Sequence, residues 1–336
     1  MFRVAMVGAG GMATTHARCY AALPSARVVG VMDARAEAAR ALAEPHGAEP
    51  FSDLDAMLKA TRPDIVDVCV PTPFHAEYVC QAAEARPRGI VVEKPMGRSV
   101  ADCERMIAAC AATGVPLFVA HVLRFFPEFV AAREQVIAGA IGEVVTVRTR
   151  RGGPFPRAWE NWYGNVDWSG GIILDLVIHD LDWLRWTFGD VERVFAAGLS
   201  GKAGSGERIE RDYALITLRF RSGALGHVEG TWADPGGFKV TFEVAGTEGL
   251  LEYNHNQPSS PPFVAALQRS AEAGPGVPVP ESPVTVSPYQ AELDHFLTSL
   301  TLGTTPRVSP RDGLEAVRLA LAANESIRTG EPVSLS

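Results

Sequence analysis

The chain has 336 residues, 47% of them hydrophobic and 21% charged, with a net charge of −8. That is enough for two domains with a sizeable core. The acidic balance argues against nucleic acid as a partner, and no apolar run approaches the roughly 20 residues of a membrane span. Five scattered cysteines (Cys19, Cys69, Cys80, Cys103, Cys110) lack C-x-x-C spacing. They fit a reducing cytoplasm and neither a disulfide frame nor a zinc knot, so no metal is expected. FRVAMVGAGG is interrupted by glycine too soon to be a signal peptide.

FRVAMVG reads as a buried strand and AGGMATTHARCYAAL as the helix after it. Gly8, Gly10 and Ala13 form G-x-G-x-x-A at that junction, with Gly11 and Met12 at the helix start. The first glycine permits a tight turn, the second lets a pyrophosphate approach the backbone, and the small third residue lets helix and strand pack closely. Free N–H groups at the helix N-terminus suit the phosphates. ARVVGVMD is a second strand ending in Asp33, twenty residues after Ala13, where a carboxylate meets the adenosine ribose. Asp33 also repels a 2′-phosphate, which favours NAD over NADP, and Arg35 nearby softens that preference.

The βα rhythm continues. Residues 34–46 are helical, SDLDAML opens a helix capped by Ser52 or Asp53, and DIVDVCV is a strand. PTPFHAEYVCQAAEA is a loop running into a helix, GIVVEKP a strand, SVADCERMIAACAATG a helix, and PLFVAHVLRF the strand after it. Such repetition implies a parallel sheet with ligands bound beyond the carboxyl ends of its strands. Pro71, Thr72, His75, Glu93, Lys94, His121 and Arg124 all fall there. Pro95 biases Lys94 towards an extended backbone.

FPEFVAAREQVIAG is a helix and GEVVTVRTRRGG a strand, whose Arg148, Arg150 and Arg151 with Arg157 are either an anion site or a solvated edge. Residues 152–169 form a loop rich in aromatics. Trp159, Trp162, Tyr163 and Trp168 either stack on a sugar or pack the loop, and Arg157 and Asn161 are candidates for binding hydroxyls. GGIILDLVIHDLDWLRW (170–186) is an almost wholly apolar helix carrying Asp175, His179 and Asp182 at i, i+4 and i+7, hence on one face. Either these groups satisfy one another or that face opens on a cavity.

DYALITLRFRSG, ALGHVEGTW, KVTFEVAGTEG and LLEY read as an antiparallel sheet, with Ala214, Ile216, Leu218 and Phe220 on the inner face. Residues 254–288 are proline-rich and irregular, with a short helix at 263–271 the one regular element expected there. YQAELDHFLTSL and RDGLEAVRLALAANESIRTG are helices, with His295 structural and Gly330 capping the last.

GAGGMA, the strand-end Asp33, PTPFH, EKP, the 170–186 helix, Y-x-x-E-L-x-x-F from Tyr289 and E-S-x-x-x-G up to Gly330, in this order, resemble the glucose–fructose oxidoreductase / inositol dehydrogenase / MocA family. The resemblance implies an α/β Rossmann domain with a parallel sheet, and an α+β domain with an open, mainly antiparallel sheet. Their expected spans are 1–125, binding NAD(P), and 126–336, binding substrate and building a homodimer or homotetramer, with the last helix able to pack back on the first domain. It further implies a cytoplasmic dehydrogenase of a secondary hydroxyl in a sugar, polyol or cyclitol. Lys94, Asp175 and His179 are then catalytic, and Arg124, Arg157, Asn161 and Trp162 join them in binding substrate. The expected cofactor set is Gly8, Gly10, Gly11, Met12, Asp33, Arg35, Pro71, Thr72, His75, Glu93, Lys94 and His121. His179 is the expected general base, since an unperturbed imidazole titrates near 6.5. Two alternatives are a non-catalytic NAD(P) sensor and a glycoside-processing enzyme that oxidises a ring hydroxyl transiently.

Overall fold

Strand-forming β-branched runs and alanine-rich helices alternate through the first third of the chain, and the computed structural model follows that alternation. It describes residues 1–201, 209–234, 237–254 and 287–335. The chain divides into two compact units, Met1–Val122 with Val286–Leu314, and Leu123–Thr285 with Glu315–Ser336.

In the first unit, β1 (Phe2–Val7), α1 (Gly11–Ala21), β2 (Ala26–Met32), α2 (Ala36–Ala43), β3 (Glu49–Phe51) and α3 (Leu54–Thr61) make one half. The other half is β4 (Ile65–Val68), α4 (His75–Glu84), β5 (Gly89–Glu93), α5 (Val100–Thr113) and β6 (Leu117–Ala120). The strands lie in the order β3-β2-β1-β4-β5-β6, and every pair is parallel. The order reverses between β1 and β4, which opens a crevice at their carboxyl ends. β4 and β5 are buried along their whole length, as strands covered on both faces must be. Asp53, rather than Ser52, caps α3 by accepting from Ala56 N at 2.8 Å. β6 stops at Ala120, and Val122–Phe125 is a 3-10 turn, so the strand expected through Phe125 is shorter than its apolar sequence suggests. β3, only three residues long and containing Pro50, gave no strand signal in the sequence.

The second unit begins with α6 (Pro127–Ile137), β7 (Val144–Gly152) and the short α7 (Val166–Ser169). A helix then runs to Phe188, opening with a wide π turn at Ile173–Val177 and continuing as regular α8 (Ile178–Phe188). β8 (Val191–Gly201), β9 (Ile209–Phe220), β10 (Leu225–Thr231), β11 (Lys239–Gly246) and β12 (Leu250–Asn254) follow. After them come α9 (Pro288–Leu302), whose Phe296 stacks on Phe118 at 4.9 Å within the first unit, α10 (Pro310–Thr329) and β13 (Val333–Ser334). The second sheet has the order β12-β11-β7-β10-β9-β8-β13. All its pairs are antiparallel except β7 with β10: the chain leaves β7 through the helices, re-enters the sheet at β8 and reaches the side of β7 only with β10. β8 was passed over in the sequence because Ala196, Ala197 and Gly198 dilute its alternation.

Ala214, Ile216, Leu218 and Phe220 are fully buried, as their alternation predicts. Trp183 is equally buried, donates Nε1–H to Phe129 O at 3.0 Å, and packs edge-on against Phe129 and tilted against Phe242. A Cβ on Gly230 of β10 would lie 2.2 Å from Val177, so this glycine is what lets the π turn rest directly on the sheet. Gly330 takes the left-handed conformation after α10, as a C-terminal glycine should. The helix expected at 263–271 lies outside the described residues, and among those no helix is long and apolar enough to cross a membrane.

Candidate active site

The turn after β1 is built by two glycines with different duties. Gly8 has φ +102°, and a Cβ there would sit 2.7 Å from Cys69 O, so only glycine fits. Gly10 precedes α1 with an extended backbone and no side-chain cap, and a Cβ there would meet nothing within 4 Å. Uncapped N–H groups facing open space are what a dinucleotide pyrophosphate requires. Asp33, at the end of β2, accepts from Ala9 N at 2.9 Å and from Arg35 N and Nε at 2.9 and 3.0 Å. Burial works against the Asp33 charge, but these donors win and hold its carboxyl below the usual range. The residues present thus fit NAD: a glycine cradle for the phosphates and an ionised acceptor at the second strand end.

Around the crevice, Gly11 is exposed, Met12 and Pro71 are half-buried, and Thr72 and His121 are buried. His75 is turned inward. Its Nε2 lies 2.9 Å from Val70 O and its Nδ1 3.0 Å from Pro95 O, so it ties the loop after β4 to the loop after β5. Burial pulls its pKa down. The ring thereby shapes two of the loops that border the crevice. Glu93 is likewise buried, with Oε2 accepting from Lys94 N at 2.9 Å. Lys94 is half-buried at the end of β5, and the Lys94–Pro95 peptide is cis.

Beneath these loops lies a cluster that the sequence reading missed. His16 Nδ1 is 2.9 Å from Asp67 Oδ2, His16 Nε2 is 3.1 Å from Glu93 Oε1, and the Cys69 thiol donates to Asp67 Oδ1 at 3.3 Å. The available signal was an aspartate inside the otherwise apolar strand Ile65–Val68. Ligand atoms of His16, Asp67 and Cys69 lie within 4.8 Å of one another. Burial first, then the Asp67 charge, pushes the Cys69 thiol far up, and a protonated thiol is a poor metal ligand. Hydrogen bonds from His16 Nδ1 and the Cys69 thiol already occupy both Asp67 oxygens.

In the second unit, Asp175 is 5% exposed and lies inside the π turn, while His179 is half-buried one turn on in regular α-helix. The regular i, i+4 spacing expected from sequence is therefore interrupted, and single π turns recur at functional sites. Asp182, expected on the same face, is paired inside the protein with Arg124 through bonds of 2.8 and 2.6 Å. Arg124, expected among the substrate-binding residues, is 1% exposed with its guanidinium in that pair. A matching pair, Arg151 with Asp180 at 2.5 Å, escaped notice in the sequence. Arg148 pairs with Glu243, and Arg150 with Glu229 and Asp234, so these arginines are matched by acids instead of forming an anion site.

Of the aromatic loop, Arg157, Trp159 and Asn161 are exposed, and Trp162 stacks on the buried Tyr163 at 3.9 Å. Tyr163 packs edge-on against Trp232, which assigns it to holding the loop down. Glu160 and Asn161 both have φ +49°, a conformation that non-glycine residues adopt at some cost.

The family described as "Oxidoreductase family, NAD-binding Rossmann fold" matches residues 2–121, and "Oxidoreductase family, C-terminal alpha/beta domain" matches residues 133–335. The chain is 30% identical to myo-inositol 2-dehydrogenase of Thermotoga maritima, over 99% of this chain and 98% of that one. It is 32% identical to D-apiose dehydrogenase of Paraburkholderia graminis, over 99% and 90%. The crystal structure of GenD2 from gentamicin A biosynthesis, in complex with NAD, superposes with a TM-score of 0.87 at 26% identity, over 100% of this chain and 96% of that one.

Proposed function

Given that the chain belongs to the Gfo/Idh/MocA family of NAD-dependent oxidoreductases acting on CH–OH groups, we propose that Lys94, Asp175 and His179 carry its chemistry on a polyol, cyclitol or sugar. The observation that carries this reading is the arrangement of the first sheet. The glycine turn closes β1 and Lys94 closes β5, two strands away on the same carboxyl edge. At about 4.8 Å per strand, the two are about 10 Å apart across the sheet, a separation that a nicotinamide ribose spans.

NAD, when bound, supplies the hydride acceptor. His179 takes the proton of the reacting hydroxyl, so that C–H and O–H bonds are exchanged for a carbonyl. Asp175 orients the imidazole or accepts from a neighbouring hydroxyl. The Lys94 ammonium stabilises alkoxide character on the same oxygen. Gly8, Gly10, Gly11 and Met12 with Asp33 hold the dinucleotide, and Asp33 selects NAD over NADP. Arg157, Asn161 and Trp162 are the loop residues proposed to meet substrate hydroxyls.

The relatives act on a cyclitol and on a pentose by name, so the class is polyhydroxylated and its member is found by assay. We place the enzyme in the cytoplasm, where free thiols persist. It assembles as a homodimer or homotetramer through the outer face of the second sheet, where Phe195, Leu199 and Leu215 lie exposed on adjacent strands. A panel of inositols, aldoses, pentoses and sugar acids, followed by NADH absorbance, tests the activity. Lys94→Ala should lower turnover on the best substrate while NAD affinity stays within about threefold, and unchanged turnover would reject Lys94 as catalytic.

A further inference from the structure

We propose that His16 is a positioning residue for Lys94: its ring, clamped between Asp67 and Glu93, fixes the Glu93 carboxylate that in turn holds the Lys94 backbone. The inference rests on the reading of Lys94 as catalytic. His16 stands on α1, Asp67 on β4 and Glu93 at the end of β5, so three elements meet at one imidazole. His16 and Asp67 are completely buried and Glu93 is 6% exposed.

Each link follows from what a buried carboxylate needs. Taken out of water, Glu93 must find donors for both oxygens. Oε2 receives Lys94 N–H at 2.9 Å, and Oε1 lies 3.1 Å from His16 Nε2. Asp67, 2.9 Å from Nδ1 and itself held by the Cys69 thiol, sets the rotation of the ring. Nδ1 is hydrogen-bonded to Asp67, while Nε2 faces Glu93 Oε1 as a close ion-pair contact rather than an aligned hydrogen bond. Burial opposes the charge on His16, but Asp67 and Cys69 outweigh it and hold the pKa well above its usual value. Remove His16, and Glu93 either takes up a proton or turns away, releasing the peptide N–H that sets the direction of Lys94. His16 also lies on the helix whose first turn bears the cofactor-binding N–H groups, which couples that helix to the lysine.

The test is a double-mutant cycle between His16 and Lys94. His16→Asn keeps a group near Nδ1 for Asp67 and loses the one facing Glu93. We expect NAD affinity within about twofold and kcat lowered about 10–100-fold, the scale of a misplaced catalytic group. The primary deuterium isotope effect should rise as hydride transfer becomes limiting. His16→Gln, whose amide reaches Glu93, should recover much of the lost turnover. In a Lys94→Ala background, His16→Asn should change kcat less than twofold. Wild-type kcat in His16→Asn, or the same fold-loss with and without Lys94, overturns the proposal. Should His16→Asn not fold, Glu93→Gln serves in its place with the same required non-additivity. If Lys94→Ala alone is as active as wild type, the assignment of Lys94 fails first, an outcome visible before the cycle is closed.

Discussion

Arg124 and Asp182 meet through two parallel hydrogen bonds, Nε to Oδ2 at 2.8 Å and Nη2 to Oδ1 at 2.6 Å, with both side chains 1% exposed. The guanidinium also lies 5.3 Å from the Trp186 ring centroid. A charge this deep is tolerable only while paired. Asp182→Ala leaves a buried guanidinium uncompensated, and we expect a loss of about 3–5 kcal/mol, read by urea denaturation. Replacing both partners by leucine should recover most of it, since apolar packing substitutes well for a buried pair. A single substitution costing under about 1 kcal/mol would mean that water reaches the site.

Gly8 and Gly10 separate fold from ligand binding. Gly8→Ala forces a methyl to 2.7 Å from Cys69 O at φ +102°, and should cost at least about 1–3 kcal/mol of stability. Gly10→Val enters open space from an allowed backbone, so stability should stay within about 0.5 kcal/mol. The new side chain occupies the approach of the pyrophosphate, and NAD affinity should fall at least tenfold by fluorescence titration. Equal NAD affinity in Gly10→Val would remove the phosphates from this turn.

Most strands of the two sheets, β3 and β8 apart, were legible because their signals are local. Buried strands such as Ile90–Val92 followed by helices with glycine turns leave few topologies, and the alternation at Ala214–Phe220 names its own inner face. What was hidden depends on distant partners. Asp182 shares a helical face with His179 by arithmetic, but Arg124, 58 residues away, captures it. The π turn at Ile173–Val177 has no motif, and it depends on the space left by Gly230 in a strand more than 50 residues later. The place of His75 past a strand end does not reveal that it tethers two loops, its nitrogens facing the carbonyls of Val70 and Pro95.

Asp33 and Arg35 form a switch for cofactor choice. The arginine side chain is 40% exposed and is held by the carboxylate through Nε at 3.0 Å. Asp33→Ser removes the charge that repels a 2′-phosphate and frees the guanidinium to pair with one. A charge-assisted hydrogen bond of about 1.5–3 kcal/mol corresponds to a shift of about 10–100-fold in the NADP/NAD ratio of kcat/KM. Asp33→Ser, Arg35→Ala should lose this gain. No movement of the ratio in Asp33→Ser would show that the adenosine ribose lies elsewhere.

His16 also predicts how stability depends on pH. Its folded pKa is raised: burial lowers it, but Asp67 and then Cys69 raise it further. In the unfolded chain it titrates near 6.5. A group whose folded pKa exceeds its unfolded one binds its proton more tightly in the native state. Its contribution is therefore complete below pH 6.5 and declines as pH rises towards the folded value. The stability gap between wild type and His16→Gln should be largest at pH 6 and smaller at pH 9, by denaturant titration at both. The neutral amide of glutamine does not titrate, so the narrowing reports the imidazole alone. A gap that is constant, or wider at pH 9, would mean that His16 is neutral in the native protein.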